Sequence, residues 1–206
     1  HNLHTICEEA HCPNIGECWD YGTATFLILG DVCTRACAYC AVTSGRPNGL
    51  DDAEPTRVAD AVKILGLSHV VITSVNRDDV PDGGADIFAR TIREIRALVP
   101  NCKIEVLVPD FMGSWDSLGV VLEACPDVLN HNIESVARMF PRVRPKGGYS
   151  RSIELLCEAK RMSPVTVTKS GLIVGMGETR DEVFETMADL READVDVLTV
   201  GQYLQP

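Results

Sequence analysis

The sequence has few aromatic residues, no long apolar run and no excess of positive charge. Aromatic residues make up 5% of the 206 positions and apolar residues 45%, so an aliphatic core is expected, and the length favours one domain. The sequence has no stretch of about 18 apolar residues that could form a membrane-spanning helix. The net charge of −11 argues against nonspecific binding to nucleic acid or to an anionic membrane.

Recognisable targeting signals are also missing. The sequence has neither a basic leader followed by an apolar stretch nor a transit segment rich in arginine and serine, which favours a cytoplasmic location. The chain begins at His1 rather than at methionine and ends at Pro206, directly after an apolar run that resembles a strand. We therefore expect truncation at both ends.

Cysteine, in contrast, is abundant. Six of the nine cysteines lie within the first 40 residues. The odd number and the tight clustering argue against a disulfide framework and indicate metal or cluster ligands in a reducing compartment. The scattered Cys102, Cys125 and Cys157 are expected to be small core or helix residues.

One group of three cysteines has a C-x3-C-x2-C spacing and follows the apolar run 26–30; it consists of Cys33, Cys37 and Cys40. Three thiolates on one loop can hold three corners of a cubane iron–sulfur cluster and leave the fourth iron open for chemistry. A zinc knuckle is the alternative. It is the weaker reading because structural zinc takes four ligands and no fourth cysteine lies beside these three.

A second group, with a C-x4-C-x5-C spacing, precedes the first and consists of Cys7, Cys12 and Cys18. Pro13 and Gly16 favour a loop over a continuous helix in this segment. Beside an iron–sulfur loop, these cysteines favour a second cluster. The alternative is a zinc loop with His4 or His11 as the fourth ligand.

From residue 23 onward, apolar segments alternate with amphipathic ones at a spacing of roughly 30 residues, the size of a βαβ unit. The predicted strands are 25–30, 69–74, 103–108, 128–134, 165–174 and 196–203. The predicted helices are 57–66, 86–99, 115–124, 150–162 and 179–193, the last opening with a capping box. Such alternation predicts a parallel sheet. A doubly wound dinucleotide-binding sheet is disfavoured because cysteines stand where its glycine motif would follow the first strand.

Polar residues follow several of these strands. They occupy 73–84, 130–134, 169–178 and 201–203. Because the site of a β/α barrel lies at the carboxyl ends of its strands, we expect these residues to share one site.

The loop of residues 33–40, with Tyr39 before its last cysteine, resembles the signature of the radical S-adenosylmethionine (SAM) superfamily, C-x3-C-x-aromatic-C. Members of that superfamily chelate the open iron of a 4Fe-4S cluster with the amino and carboxylate groups of SAM. The resemblance implies an α/β fold: residues 23–206 form a partial (β/α)6 barrel of TIM type with parallel strands. Residues 1–22 then form a cysteine-rich extension for an auxiliary cluster.

Further motifs resemble the lipoyl synthase family within that superfamily. They are the two cysteine groups in this order and the segments 77–84, 131–134, 169–171, 175–178, 191–196 and 201–206. The implied catalytic residues, which bind the SAM cluster, are Cys33, Cys37 and Cys40. The implied ligands of a second 4Fe-4S cluster, which donates sulfur, are Cys7, Cys12 and Cys18. The implied SAM contacts are Tyr39, Thr73, Ser74, Asn132, Glu134, Lys169 and Gly175. Arg77 and Arg144 are candidate charges on the substrate side, with ordinary surface arginines as the alternative.

The resemblance also implies an activity and partners. The family inserts two sulfurs, at carbons 6 and 8 of an octanoyl-lysyl group. Its carrier is a lipoyl domain, such as a 2-oxoacid dehydrogenase E2 component or the glycine cleavage H protein, and the electron donor is one such as flavodoxin or ferredoxin. Neither nucleic acid nor a membrane is an expected partner. The family takes a serine ligand for the auxiliary cluster from a C-terminal Arg-Ser-Ser-Tyr motif, and this sequence ends before one.

Two other functions remain open at this point. One is a radical SAM enzyme whose auxiliary cluster relays electrons or binds substrate. The other is an iron–sulfur or zinc-binding module without a SAM pocket.

Overall fold

The computed structural model describes residues 4–6 and 14–205, and it contains one seven-stranded sheet and a separate two-stranded one. The strands, numbered along the chain, are β1 His4–Thr5, β2 Thr23–Ile28, β3 Val32–Cys33, β4 Thr43–Ser44, β5 His69–Ser74, β6 Lys103–Leu107, β7 Val128–Asn130, β8 Val167–Val174 and β9 Val197–Gln202. The order across the large sheet is β1-β2-β5-β6-β7-β8-β9. All its pairs are parallel except β1 with β2. The predicted α/β fold with six parallel strands is therefore confirmed.

Helices connect successive strands of the large sheet. They are α1 Ile15–Asp20, α2 Glu54–Ile64, α3 Ala85–Leu98, α4 Trp115–Glu123, α5 Phe140–Val143, α6 Tyr149–Met162 and α7 Arg180–Glu192, with a 3₁₀ turn at Phe111–Gly113. The capping box predicted at the start of the last helix is present, because Thr179 and Glu182 each bond the other's backbone N–H. Among the residues that the structure describes, no helix combines the length and apolarity that crossing a bilayer requires.

The main core lies between the sheet and its helices. Ile72, Ile104 and Leu129, on three adjacent strands, are fully buried in the same cluster as Phe88 and Ile92 of α3. Because successive strand residues point to opposite faces, the residues between them face the other side of the sheet, which is the barrel interior. One register row on that inner side consists of Leu27, Thr73, Leu107, Asn130, Lys169 and Val197.

Two local predictions were wrong. Gly16 lies within α1 rather than in a loop, since a short helix tolerates glycine at a cost of about 1 kcal/mol relative to alanine. The fourth predicted strand, 128–134, ends at Asn130. Beyond it, Glu134 adopts a φ of 65° and returns to the sheet as a single bridge with Leu172. Polar side chains therefore enter the barrel mouth instead of continuing the ladder.

Candidate cofactor site at the carboxyl ends of the strands

The cysteine loop is closed at its base by a short strand pair and is bonded in its middle to the segment before α6. Cys33 ends β3, which pairs with β4, and the N–H of Gly45 donates to the Cys33 carbonyl oxygen at 2.9 Å. Within this closed loop, the N–H of Ala38 donates to the carbonyl oxygen of Val143 at 2.9 Å. The C-x3-C-x2-C segment is thus bonded to other parts of the chain rather than projecting into solvent.

The three cysteines of this loop line one cavity of about 280 Å³. Cys33 is buried, Cys37 is half-buried and Cys40 is exposed. Burial raises the pKa of Cys37, whereas the Tyr39 hydroxyl and the Arg144 guanidinium oppose that rise. The thiol form is therefore favoured in the metal-free protein, and a metal must displace its proton.

Cys33 differs from the other two cysteines in its hydrogen bonds. Its Sγ accepts from the backbone N–H of Arg35 at 3.4 Å and from that of Asn76 at 3.3 Å. Asn76 lies two residues after the end of β5, so the first cysteine of the loop is held against the end of the second strand of the barrel. These two N–H donors fix the position of the Cys33 sulfur at the cavity wall.

Most residues that were expected to contact SAM line the same cavity. They are Tyr39, Thr73, Ser74, Asn132 and Glu134. Lys169 and Gly175 are not among its lining residues. Lys169 pairs with Glu105 at 2.9 Å, in the barrel interior. The Gly175 N–H bonds the Glu178 carboxylate at the start of the turn that leads to α7.

Four residues that line the cavity each have one buried polar atom without a partner among the described residues. These atoms are Arg35 Nη1, Ser74 Oγ, Asn76 Oδ1 and Arg144 Nε. Buried polar atoms in native proteins nearly always have partners, so their presence here indicates a polar ligand or water. A guanidinium, an amide and a hydroxyl together suit a ligand that carries a carboxylate and hydroxyl groups. The cavity therefore fits SAM, which has both.

Glu134 places a buried carboxyl group on the same cavity wall. Burial raises the pKa of its carboxyl, while Arg144, Asn132 and Tyr39 favour the ionised form. A carboxylate held in such a setting is stabilised by a cation placed beside it. The amino and sulfonium groups of SAM are cations of suitable size. The donor set and the charge of the cavity thus match both ends of that ligand.

A close approach between β8 and the segment that follows β7 surrounds the amide of Asn132. Gly171 on β8 has no side chain, and a Cβ placed there would lie 2.6 Å from Asn132 Oδ1. Only glycine leaves this space open, so the strand forms a cradle for the amide at the cavity wall.

The two arginines proposed for the substrate side are both buried, so the surface alternative was wrong for each of them. Arg77 is 3% exposed, and its guanidinium donates to Asp79 and to the carbonyl oxygens of Leu29 and Asn48. Arg144, at 6% exposure, lines the cavity and donates to the Asn132 carbonyl oxygen at 2.9 Å. Arg77 therefore ties loops together, while Arg144 lines the cavity and has a buried Nε without a partner among the described residues.

The structure adds functional candidates that the sequence reasoning missed. Asn76 and Arg35 both line the cavity, and the Asp110 carboxylate accepts a hydrogen bond from the Arg35 guanidinium. A charged residue inside a cysteine loop was the available signal for Arg35. Nothing in the sequence shows that its side chain turns inward.

The remaining six cysteines lie outside the loop of residues 33–40, and the structure describes four of them. Cys7 and Cys12 lie outside the described residues, and Cys18 is half-buried in α1. Cys102 is buried as expected, but Cys125 is exposed with a φ of 58° just after α4, so it is neither a core nor a helix residue. Over residues 4–6 and 14–205, no three His, Cys, Asp or Glu side chains are arranged to hold a single metal ion.

Comparisons with known proteins agree with this geometry. The family model described as "Radical SAM superfamily" matches residues 27–190. A lipoyl synthase of Chloroflexus aggregans is 63% identical over 205 residues, covering 100% of this chain and 67% of the relative. A lipoyl synthase of Rubrobacter xylanophilus is 61% identical, covering 100% of this chain and 64% of the relative. The chain thus spans about two thirds of the length of these curated relatives.

Solved structures share the fold at low identity. Methylornithine synthase (PylB) aligns with a TM-score of 0.68 at 14% identity, over 87% of this chain and 53% of the other. Streptococcus suis SuiB bound to S-adenosylmethionine aligns with a TM-score of 0.70 at 11% identity, over 94% of this chain and 44% of the other. The chain spans about half or less of these structures, and the likeness extends to the fold alone.

Proposed function

Because the chain belongs to the radical SAM superfamily and, within it, to the lipoyl synthase family, we propose that it inserts sulfur into the octanoyl chain of an octanoyl-lysyl carrier protein. The observation that carries the proposal is one cavity lined both by the three cysteines and by residues whose buried polar atoms lack partners and suit SAM. The printed name of the relatives, lipoyl synthase, supports the choice of sulfur insertion among the reactions of this superfamily.

The cysteine loop would hold a 4Fe-4S cluster through Cys33, Cys37 and Cys40. Three ligands leave one iron open, and SAM would occupy it. Arg144 and Ser74 would bind the carboxylate of SAM, and Glu134 would face its cationic groups. When bound, cluster and SAM supply the one-electron chemistry that breaks an unactivated C–H bond, which no side chain of this chain could break as a base.

The apolar wall of the cavity would receive the octanoyl chain. Leu27, Leu107 and Val108 line the same cavity as the cysteines, and their apolar side chains would exclude water from beside the reacting carbon. Exclusion of water and fixed orientation are what such a reaction requires from the protein. The remaining polar side chains hold and orient the cofactor and transfer no proton to the substrate.

The sulfur would come from an auxiliary 4Fe-4S cluster bound by Cys7, Cys12 and Cys18. The partners that we propose are an octanoylated lipoyl carrier domain and a small electron-transfer protein. An auxiliary cluster that only relays electrons or binds substrate is the competing function.

Mass spectrometry of an octanoyl-lysyl peptide tests the proposal. After anaerobic reconstitution with iron and sulfide, the chain is given SAM, dithionite and the peptide. We expect 5′-deoxyadenosine and a peptide that has gained sulfur. Cys33→Ala should give neither, whereas Cys18→Ala should give 5′-deoxyadenosine without sulfur. Cys157→Ala, an exposed position on α6, is the matched control and should behave as the unaltered chain.

Two outcomes would contradict the proposal. A peptide that is modified without gaining sulfur would favour an auxiliary cluster that relays electrons or binds substrate. If the unaltered chain does not cleave SAM at all, the cavity is not the site of a radical SAM reaction.

A further inference from the structure

Arg35 lies inside the cysteine loop, between Cys33 and Cys37, yet its side chain is turned away from solvent. Only 1% of that side chain is exposed. Its Nε and Nη2 donate to the Asp78 carboxylate at 2.9 and 2.8 Å, and Nη2 also donates to Asp110 Oδ1 at 2.6 Å. A guanidinium that bridges two carboxylates forms the strongest class of side-chain hydrogen bond.

The two carboxylates belong to different loops of the barrel. Asp78 follows β5, and Asp110 follows β6. The Asp110 side chain is itself 1% exposed and also accepts from Arg151 Nη1, on α6, at 3.1 Å. Arg35 thereby connects the cysteine loop to two strand ends and, through Asp110, to a helix.

The backbone of Arg35 is fixed as firmly as its side chain. Its N–H donates to Cys33 Sγ at 3.4 Å, and its carbonyl oxygen accepts from Ser44 Oγ at 2.9 Å. The adjoining Thr34 donates its hydroxyl to the Asn76 carbonyl oxygen at 3.0 Å. A segment in which side chain, N–H and carbonyl oxygen are all bonded has its conformation set before any ligand arrives.

We propose that Arg35 is a positioning residue that holds the cysteine loop in its cluster-receiving shape in the metal-free protein, by clamping it to Asp78 and Asp110. The role of the cysteines as cluster ligands rests on the proposed function, but the clamp itself does not. Loops that carry metal ligands need such supporting contacts, because ligands that must first be ordered bind more weakly and more slowly.

The chain contains its own reporters for a test in the absence of metal. Cys33 is buried within the clamped loop, Cys102 is buried at the opposite end of the sheet, and Cys157 is exposed on α6. Alkylation by iodoacetamide, followed over time by peptide mass spectrometry, gives the rate at each thiol. A buried thiol reacts only when its segment opens, so its rate reports local stability.

We expect Arg35→Lys to raise the alkylation rate of Cys33 by about tenfold or more, because lysine keeps the charge but cannot form the planar two-point contact with Asp78 while it also bonds Asp110. The rates at Cys102 and Cys157 should not change. Arg90→Lys, which alters an exposed arginine paired with Asp52 on the surface, is the matched control and should change none of the three.

Equal Cys33 rates in Arg35→Lys and in the unaltered chain would overturn the proposal. If Arg35→Lys also raises the alkylation rate of Cys102, the fold as a whole has loosened. The Asp78→Asn variant then tests the clamp instead. Asp78 is partly exposed, and its loss leaves the Asp110 bond in place. Faster Cys33 alkylation in Asp78→Asn with Cys102 unchanged supports the clamp, and an unchanged Cys33 rate refutes it.

A second readout separates the clamp from the proposed function. Iron uptake from a limiting supply should be several-fold slower in Arg35→Lys than in the unaltered chain, and Arg90→Lys should show no delay. If the clamp is correct but the proposed function is wrong, Cys33 will lose protection in Arg35→Lys while neither protein assembles a cluster that cleaves SAM.

Discussion

His131 provides a quantitative prediction of how stability depends on pH. The ring is fully buried beside the cavity wall, with Nδ1 2.8 Å from the Val108 carbonyl oxygen and Nε2 3.0 Å from Ser152 Oγ. Since a carbonyl oxygen only accepts, we assign the proton to Nδ1 and let Ser152 donate to Nε2. Burial, with a further contribution from the charge of Arg144, lowers the pKa of His131 to about 3.

The sign follows from comparing the two states. In the unfolded chain a histidine has a pKa of about 6.5, so below that pH the unfolded state binds a proton that the folded state does not. The contribution of neutral His131 to the free energy of unfolding is therefore fully present above pH 6.5 and is lost as pH falls toward 3. Between pH 7.5 and 5.5 the free energy of unfolding should drop by about 1.4 kcal/mol from this residue alone.

Urea unfolding of the metal-free protein at pH 7.5 and at pH 5.5 measures this drop. His131→Asn retains an N–H donor near the Nδ1 position but cannot titrate. All other titratable groups are shared, so the difference between the two declines isolates His131. Between pH 7.5 and pH 5.5, we expect the free energy of unfolding of the variant to fall by about 1.4 kcal/mol less than that of the unaltered chain. Equal declines would refute the assignment of a neutral, buried imidazole.

Three further predictions concern the cavity wall, the barrel interior and the last helix. Gly171→Ala places a Cβ 2.6 Å from Asn132 Oδ1. It should weaken SAM binding about tenfold in equilibrium dialysis and lower the free energy of unfolding in urea by about 1–3 kcal/mol. Unchanged SAM binding would contradict the role of Gly171 as a cradle for the Asn132 amide. Glu105→Gln breaks a buried ion pair with Lys169, so we expect a loss of about 3 kcal/mol at pH 7. Thr179→Ala removes the N-cap hydroxyl and should cost about 1 kcal/mol, with Thr179→Ser as the rescuing control.

The Glu105 prediction carries a pH dependence of its own. Burial alone would raise the pKa of Glu105, but hydrogen bonds from His69 and Lys169 outweigh it and lower that pKa to about 2. A carboxyl with a depressed pKa stabilises the fold above its unfolded pKa of about 4.3, and that stability is lost as pH falls toward 2. The deficit of Glu105→Gln in urea unfolding should therefore shrink between pH 5 and pH 3. A constant deficit would show that the ion pair contributes little.

The alternation of apolar and amphipathic segments sufficed to predict the parallel sheet. Each strand is a short run of β-branched and aliphatic residues, and each helix repeats its apolar residues with a helical period, so local sequence determines both kinds of element. The strand His69–Ser74 has its predicted bounds. The cysteine spacing likewise predicted the loop and its place after the first strand of the barrel, because both features are local in the sequence.

What the sequence could not predict depends on register and on long-range contacts. Lys169 was expected at the SAM site, but its register beside Asn130 places its side chain near Glu105, and the two form an ion pair. Arg77 was a candidate charge on the substrate side, with an ordinary surface arginine as the alternative, and Arg35 drew no prediction. Both are buried by partners that lie far along the chain. Periodicity reports which face of an element is apolar and not which charges meet in the interior.

Cleavage of SAM by the reconstituted chain tests the central claim most directly, namely that the cysteine loop and the polar cavity form one radical SAM site. With dithionite as reductant and no substrate, 5′-deoxyadenosine is counted per chain by liquid chromatography. The account predicts product from the unaltered chain and from Cys157→Ala, and none from Cys37→Ala. A chain that binds iron through the cysteine loop yet releases no 5′-deoxyadenosine, or a Cys37→Ala variant that releases it at the unaltered rate, would contradict the account.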